Sequence, residues 1–511
     1  MKFLDELPEH TPVDLLAVMI DDPASPPEVV DELPSDIAAM IRRELERDRI
    51  RPGKGDTVLI PGGDTGPIHI ALLGLGSEDD GRDEAVRDAG GRAARAARTL
   101  RASTLVFPGT TTPEESAWLV EGATLGSYSY KRFKTAAEDQ TDAPLADPTQ
   151  MRSLHEPQEK YPATVSLSGA SSENTAAAQQ AYALARATNW ARDLANAPGN
   201  FLTPEMLAAE ASALADQHEH LTCTVLDQAD IEREGLGLIA AVGKGSEHEP
   251  RLIVLEWNPP GVDTPDNERL AFVGKAVTFD TGGISIKPSA GMTEMKLDKS
   301  GGCAVLGAMR AIAERNLQRR VVAVVGSAEN MPGGRAYKPG DVFTARGGTT
   351  VEITNTDAEG RLVLGDSITW TRHLGCGAIV ELSTLTGAMV VALGHHFSGV
   401  VARSSALTDA VLESAGRTGD PAWHLPMHDA YKDALKSECA DLANSGPRYA
   451  GSLYAGLFLE HFAKDTPFAH IDIAGTAMLP KPHRYLNAKG ASGWGVRLLA
   501  DLAASYQPTA H

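Results

Sequence analysis

The sequence contains very little cysteine and no long apolar segment. Its 4 cysteines are scattered through 511 residues without a Cys-x-x-Cys pair, a pattern typical of free thiols in a reducing compartment. No stretch approaches the ~18 consecutive apolar residues of a membrane-spanning helix. The N-terminal segment MKFLDE lacks the apolar core of a secretory signal. We therefore expect a cytoplasmic protein with no membrane partner.

Aromatic residues and positive charge are also scarce. Aromatic side chains make up 5% of the chain, so its cores must be built mainly from Ala, Val, Leu and Ile. The 47 Lys and Arg face 68 Asp and Glu, which gives a formal net charge of −21. This charge disfavours a nucleic-acid partner, because nucleic acids bind basic faces. Four arginines that share one side of a predicted helix therefore indicate a solvated face more than a DNA contact: Arg92, Arg95, Arg98 and Arg101.

Predicted strands and helices alternate along the chain, which indicates an α/β fold. A predicted strand over 15–20 precedes predicted helices over 84–100 and 114–133. Near-continuous aliphatic strands such as 321–325 indicate a sheet that is buried on both faces. We predict two domains, each a largely parallel or mixed sheet flanked by helices, with the active site at the carboxyl ends of the C-terminal strands. The predicted parts are an N-terminal domain over 1–170, a connecting helix over 171–199 and a catalytic domain over 200–511.

The segment VEITNTDAEGRLVL, residues 351–364, places two acidic residues beside an arginine. Its β-branched alternation predicts a strand over 351–356, and Gly360 opens a helical pattern. Asp357 and Glu359 are two residues apart, so in an extended chain they project to the same side. Two converging carboxylates repel each other unless a cation lies between them. Taken alone, such a pair is more typical of a solvated acidic loop.

A second segment upstream carries a lysine in an apolar strand and two further acids. Residues 270–279 are almost wholly apolar but contain Lys275, and an unpaired ammonium is costly to bury. Asp280 follows directly, and Asp298 precedes a small-residue helix whose N-terminus favours a carboxylate. A set of carboxylates with few imidazoles suits a pair of divalent cations. Hydrolases hold such a pair about 3.5–4 Å apart to activate water.

These segments resemble those of the leucyl aminopeptidase family, also called cytosol aminopeptidases, which are hexameric enzymes with two metals. NTDAEGRL, residues 355–362, matches the family's signature octapeptide at every position, and DTGGISIKP, residues 280–288, matches its second diagnostic segment. The similarity continues through DLANAP, STLTGA and DIAGTA, and covers the chain from Ala187 to the C-terminus. It implies a metallo-aminopeptidase that releases N-terminal amino acids, leucine among them, from peptides with a free N-terminus, and a homohexamer.

The resemblance also implies a set of metal ligands. Asp280, Asp357 and Glu359 would hold one divalent cation. The second would be held by Lys275, Asp280, Asp298 and Glu359, so that two carboxylates bridge the cations. The metals would be zinc or manganese, with magnesium and cobalt as alternatives. Lys275 would bind as a neutral amine, because burial and two adjacent cations depress a lysine pKa. A salt bridge to Asp280 is the simpler alternative.

Two further residues would act in catalysis by the same resemblance. Lys287 would donate a hydrogen bond to the scissile oxygen as negative charge develops there. Arg361 would hold a bicarbonate that relays a proton, since a forked guanidinium suits a planar anion; an ion pair with a nearby acid is the alternative. The peptide would be bound by residues that the family places around the metals: Met295, Asn355, Ala358, Thr384, Leu385 and Gly387.

Three residues depart from the family pattern, Leu297, Lys299 and Trp494, and two other functions stay open. Lys299 follows Asp298 where we expect an apolar or small residue, which predicts an extra positive charge near the second metal. One alternative function is a DNA-binding accessory protein with a peptidase-like core. The other keeps the two metals but assigns them to phosphoester hydrolysis.

Overall fold

The structure is a computed structural model, and its compact parts form two units. It describes residues 2–4, 12–22, 24, 27–47, 49–51, 55–62, 66–75, 81–108, 112–134, 162–403, 405–486 and 488–508. The polar, proline-containing stretch over 134–163 predicts a long loop, and most of it lies outside the described residues. The first unit comprises Met1–Asn189 with Pro480–Lys489, and the second comprises Trp190–Leu479 with Gly490–His511. None of the helices described is both long enough and apolar enough to cross a membrane.

The first unit is an α/β sheet with helices packed on both faces. Its elements, in chain order, are β1 (Lys2–Leu4), β2 (Leu15–Ile20), α1 (Val29–Glu32), α2 (Ser35–Glu46), β3 (Thr57–Pro61), β4 (His69–Gly74), α3 (Arg82–Leu100), β5 (Thr104–Pro108), α4 (Pro113–Gly126), β6 (Thr164–Ser168) and α5 (Ser172–Asn196), whose last turns belong to the second unit. The strand order is β1-β6-β5-β2-β4-β3, parallel except for β3–β4.

Alternate residues of β2 explain why this sheet is covered on both sides. Leu15 and Ala17 pack into one core with α3 and α4, whereas Leu16 and Val18 pack into another with α2, as the two-residue period of a strand requires. The helix predicted over 114–133 is wrong in its second half, because α4 ends at Gly126. The hydroxyl of Ser127 donates to the Thr124 carbonyl there, and serine competes in this way with helix continuation.

The second unit is larger and carries most of the long strands. Its elements are α6 (Pro204–Asp216), β7 (Leu221–Leu226), α7 (Gln228–Arg233), α8 (Gly237–Gly243), β8 (Arg251–Trp257), β9 (Leu270–Asp280), α9 (Ser300–Glu314), β10 (Val321–Asn330), β11 (Val342–Thr344), β12 (Thr350–Glu352), α10 (Gly360–His373), β13 (Ala378–Ser383), α11 (Gly387–Leu393), β14 (Ser398–Ala402), α12 (Ala406–Thr418), β15 (Ala422–Pro426), β16 (Leu442–Ala443), α13 (Gly451–Ala463), β17 (Phe468–Asp472), β18 (Met478–Leu479), β19 (Gly490–Ala491) and α14 (Val496–Ser505).

Four parallel strands at the centre of the second unit end along one edge. The eight-stranded sheet has the order β15-β14-β17-β13-β9-β10-β8-β7, and β17, β13, β9 and β10 run in the same direction. Helices such as α9 and α10 pack against its middle strands, so those strands are buried on both faces. The prediction of an α/β protein with two mixed or largely parallel sheets is confirmed.

The strand predicted over 351–356 is too long. β12 covers only Thr350–Glu352 and belongs to a small sheet of order β11-β12-β16, outside the large one. Beyond it, the backbone amides of Thr354 and Asn355 donate to the side-chain oxygen of Asn444. The chain therefore leaves strand geometry, because a single side chain replaces the hydrogen bonds that a neighbouring strand would make.

Candidate metal centre

Strand β9 delivers Lys275 and Asp280 to the centre of the carboxyl edge. Both residues are buried, with 2% and 3% of their surface exposed. A Cβ on Gly360 would lie 2.7 Å from Lys275 Nζ, so a glycine at the start of α10 leaves the room that the lysine needs. After Asp280 the chain turns at Gly282, which has a φ of 86° and whose amide donates to Asp280 Oδ1 at 2.9 Å.

The loop between β12 and α10 brings in the other two acids of the signature segment. Asp357 is half-buried and Glu359 is buried. Asn444 supports this loop, since its Nδ2 donates to the Asn355 carbonyl at 2.7 Å and to the Ala358 carbonyl at 3.4 Å. The convergence of Asp357 and Glu359 therefore comes from a supported turn, and not from the extended chain that the sequence predicted.

Four carboxylates surround two ammonium groups in this cluster. Lys275 Nζ lies 2.7 Å from Asp298 Oδ2 and 2.8 Å from Glu359 Oε1. Lys287 Nζ lies 2.7 Å from Asp280 Oδ2 and also pairs with Asp357 Oδ1. All five residues that the resemblance assigns to metal binding thus meet in one place. Because acids outnumber lysines, the cluster keeps an excess of negative charge.

The charges of these groups depend on one another. Burial disfavours the ammonium of Lys275, but Asp298, Glu359 and Asp280 together outweigh it and raise its pKa. Burial raises the pKa of Asp298 well above its usual range, and that of Asp357 to about 6. Lys275 is therefore an ammonium while carboxylates are its partners, and it can become a neutral ligand only if cations take up that negative charge.

The donor set fits divalent cations. Asp280, Asp357 and Glu359 each offer a carboxylate oxygen, and the three atoms lie within 4.8 Å of one another. Glu359 Oε2 is buried and has no hydrogen-bond partner among the described residues. A buried carboxylate oxygen without a donor is costly, and hard divalent cations prefer such oxygen ligands. The residues present therefore suit a bound divalent metal ion.

Lys299, which was expected to place an extra positive charge near the second metal, donates its hydrogen bonds to backbone carbonyls. Its side chain is fully buried, and its ammonium lies among backbone carbonyls. The ammonium donates to Ala197 O at 2.9 Å, to Thr278 O at 3.5 Å and to Lys296 O. Burial lowers its pKa to about 8. The residue ties the turn before Asp298 to β9, which explains why a long cationic side chain is accepted next to Asp298.

Arg361 lies at the start of α10, behind the carboxylates. Its Nη1 donates to the Asn444 carbonyl at 2.8 Å, and its guanidinium lies over the ring of Tyr454 at 5.6 Å. Its Nε is buried without a hydrogen-bond partner in the described part of the chain. A buried guanidinium with a free donor is suited to a small planar anion.

The residues expected to bind the peptide lie around the same cluster, but several also support the metal ligands. Thr384 Oγ1 donates to Asp298 Oδ1 at 2.7 Å, and its carbonyl accepts from Lys275 Nζ at 3.2 Å. Asn355 Oδ1 accepts from the Asp357 amide at 2.9 Å. The others occupy nearby turns: Met295 in the 3-10 turn Met292–Leu297, Ala358 before α10, Leu385 after β13, and Gly387 at the start of α11.

Sequence reasoning missed three buried residues that hold these loops. Asn330 ends β10 and donates to Asp280. Asn444 supports the signature loop, and Asp472 at the end of β17 accepts from the Leu385 amide and the Thr386 hydroxyl. Asp472 was within reach, because it opens the DIAGTA segment. Asn330 could have been found by extending the strand predicted over 321–325 to its true end.

Two family models match the chain. The model described as the cytosol aminopeptidase family, catalytic domain, matches residues 189–500, and the one described as its N-terminal domain matches residues 17–137. The second match lies N-terminal to Ala187, where the resemblance of the motifs began.

Relatives of the whole chain agree with this result. A probable cytosol aminopeptidase of Alkaliphilus metalliredigens is 37% identical over 99% of both chains, and one of Solibacter usitatus is 45% identical over 76% of both. The solved structure of the bottromycin maturation enzyme BotP in complex with Mn covers 96% of this chain and 99% of its own, with a TM-score of 0.81 and 31% identity. The chain therefore belongs to the cytosol aminopeptidase family and is a metallo-aminopeptidase of the leucyl aminopeptidase type.

Proposed function

We propose that the carboxylate cluster holds two divalent cations in the arrangement of the family. Asp280, Asp357 and Glu359 would hold one, and Lys275, Asp280, Asp298 and Glu359 the second. The observation that carries this assignment is the convergence of three carboxylate oxygens within 4.8 Å, beside a buried Glu359 Oε2 that has no hydrogen-bond partner among the described residues. Manganese or zinc would fill the site, with magnesium or cobalt as alternatives. The Mn bound to BotP supports manganese.

The chain's own residues would prepare a peptide for attack by water. Two divalent cations, when bound, act as Lewis acids that activate water and polarise the scissile carbonyl. Lys287 now pairs with Asp280 and Asp357, and these partners keep its pKa raised in spite of burial. Its side chain is 21% exposed, against 3% for Lys275, so solvent would help it to stay an ammonium and donate to the oxygen on which charge develops.

Arg361 would bind bicarbonate through the Nε that has no partner in the described structure. The guanidinium is held by Asn444 and Tyr454, so it would present the anion in a fixed place. Bicarbonate there would carry a proton between the attacking water and the leaving amine. The planar fork of arginine suits this anion better than a lysine would.

Substrates would be peptides with a free N-terminus, leucine among the residues released. The backbone of the peptide would contact Leu385 and Gly387, and its first side chain would enter a pocket formed by Met295, Asn355, Ala358 and Thr384. Residues 200–511 would carry this chemistry, residues 171–199 would join them to the N-terminal domain over 1–170, and the protein would work in the cytoplasm as a homohexamer. Light scattering that gives the 54.0 kDa mass of one chain at micromolar concentration would contradict the hexamer.

Metal replacement tests the function directly. The enzyme is stripped of metal and refilled with Zn²⁺, Mn²⁺, Mg²⁺ or Co²⁺, and each form is assayed with a panel of aminoacyl p-nitroanilides. We expect turnover with at least one metal and none in the stripped enzyme. Hydrolysis of p-nitrophenyl phosphate without release of p-nitroaniline would instead support the phosphoesterase alternative.

None of the relatives named above supports DNA binding. Arg92 of helix α3, one of the four arginines on that helix, pairs with Asp88.

A further inference from the structure

We propose that Asn330 is a positioning residue that fixes Asp280 and the signature loop in the geometry that the metals require. The inference rests on the proposed function of the same site. Asn330 is the last residue of β10 and pairs in register with Asp280, the last residue of β9, across an irregularity in the ladder. Its side chain is completely buried, so it would act through these neighbours without touching the peptide.

The amide of Asn330 bridges the two segments that carry the metal ligands. Its Nδ2 donates to Asp280 Oδ1 at 2.8 Å and to the Thr356 carbonyl at 3.1 Å. An ionised carboxylate and a backbone carbonyl can only accept hydrogen bonds, so the nitrogen of the amide must face them. The two side-chain N–H groups of Asn330 therefore join the end of β9 to Thr356, the residue that precedes Asp357.

This bridge decides which oxygen of Asp280 faces the cations. Oδ1 accepts from Asn330 Nδ2 and from the Gly282 amide, whereas Oδ2 faces Lys287 at 2.7 Å. Two donors on Oδ1 fix the rotation of the carboxylate. Oδ2 is therefore the oxygen that is directed into the cluster, and loss of the amide would let the carboxylate turn.

Further neighbours lie close to the amide oxygen and the main chain of Asn330. A Cβ on Gly283 would come within 2.9 Å of Asn330 Oδ1, and the hydroxyl of Tyr337 lies 3.5 Å from the same atom while donating to the Thr356 carbonyl at 2.7 Å. The main chain is held as well, because the Asn330 carbonyl accepts from the amide and the hydroxyl of Thr281. Residues that orient ligands in this way typically change metal affinity by about 10–100-fold when they are replaced.

The test measures metal affinity in Asn330→Asp and Asn330→Ala, two variants that lack the amide donors. The full-length enzyme is stripped of metal and titrated with Mn²⁺ and Zn²⁺ against a chromophoric chelator. We expect dissociation constants weakened by about 10–100-fold for at least one of the two sites. At saturating metal, kcat should recover towards the wild-type value with an unchanged KM for a leucyl anilide, because Asn330 does not contact the peptide.

A matched control separates positioning from plain stability. Asn189 also donates through Nδ2 to a carbonyl, that of Thr124, at 2.9 Å, but it lies in the first unit. Asn189→Asp makes the same chemical change and should lower the thermal midpoint without altering metal affinity. Circular dichroism of the metal-free Asn330 variants should show a folded protein.

Three results would contradict either the positioning role of Asn330 or the proposed metal site. Folded Asn330 variants with wild-type metal affinity would contradict the positioning role. Loss of folding in both variants would also contradict it, since Asn330 would then serve the fold alone. Failure of the wild-type protein to bind Mn²⁺ or Zn²⁺ would instead reject the proposed metal site, which keeps the two failures distinguishable.

Discussion

The second unit holds buried charges in two different ways. In the metal cluster, Lys275 and Lys287 face carboxylates, and their pKa values are raised although burial opposes the charge. Elsewhere, Lys299 faces three carbonyls, and burial lowers its pKa to about 8. Asp366 in α10 faces backbone amides, and burial raises its pKa to about 7. The first pair keeps its charge, and the second pair is shifted towards neutrality.

The difference shows that the partner, more than the depth of burial, determines the charge. Lys275 and Lys299 are equally inaccessible, yet their pKa values move in opposite directions. Formal charges nearby outweigh the loss of hydration, whereas backbone dipoles satisfy the hydrogen bonds without compensating it fully. Carboxylates that are neutralised by protons or ammonium groups can bind a metal ion in their place. Backbone carbonyls and amides around a buried charge instead hold the chain in position. The predictions below test this distinction.

The largest effect should come from removing a shared carboxylate of the cluster. In Glu359→Ala both cations lose a common ligand, and Lys275 loses one of its two close partners, so we expect activity to fall below detection and metal content to drop. The same result is expected for Asp280→Ala. Metal content by atomic emission and turnover of leucyl p-nitroanilide are the measurements. Glu413→Ala on the surface of α12 is the control, and unchanged metal in Glu359→Ala would refute the ligand assignment.

Lys287→Ala should have the next largest effect, on turnover alone. Its ammonium is proposed to stabilise the developing negative charge, and removal of one such donor typically lowers kcat by about 10²–10³-fold. The metals should remain bound, because the carboxylates that hold them are intact. Steady-state kinetics with metal analysis on the same sample checks this, and a variant with normal kcat would exclude the role.

Lys299→Met should lower stability and leave the metals in place. The substitution keeps the apolar stem but leaves the carbonyls of Ala197, Thr278 and Lys296 without their donor. A buried acceptor that loses its partner costs about 1–3 kcal/mol in free energy of unfolding. Urea unfolding of the metal-free protein measures this, with Lys296→Met as a more exposed control. Loss of metal at unchanged stability would mean that Lys299 serves the cluster after all.

The last substitution, at Asp366, should change only how stability depends on pH. Its carboxylate accepts from the amides of Leu238, Ile239 and Arg346. Its pKa of about 7 in the fold exceeds the value of about 3.9 in an unfolded chain. The folded state therefore binds more protons between those values, and the contribution of Asp366 to stability is lost as pH rises through about 7.

The difference in unfolding free energy between wild type and Asp366→Asn isolates this contribution. The carboxylates of the metal cluster titrate alike in both proteins, so their effect cancels. We expect the advantage of the wild type to shrink from pH 5 to pH 8. A difference that grows with pH would show that the amides stabilise the ionised carboxylate more than burial opposes it.

The sequence predicted the parts of the site that local pattern determines, but not the parts that are held by residues far away along the chain. Asp280 was placed correctly because a long apolar strand, β9, ends at it and local pattern identifies such a strand. The loop that carries Asp357 was not, because its amides are bound by Asn444, far along the chain. The carbonyl cage around Lys299 was not predicted for the same reason, since the Ala197 carbonyl belongs to a distant segment. Local pattern contains no information about such partners.

We propose that Lys275 is a metal ligand whereas Lys287 acts on the substrate. The most direct test is to measure metal content and turnover in three variants: Lys275→Ala, Lys275→Arg and Lys287→Ala. We predict that Lys275→Ala loses metal from one site and regains part of its activity in excess Mn²⁺. Lys275→Arg should not regain activity, because a guanidinium offers no lone pair at accessible pH. Lys287→Ala should keep both ions and lose turnover. If Lys287→Ala lost metal while Lys275→Ala kept both ions, the two assignments would be contradicted.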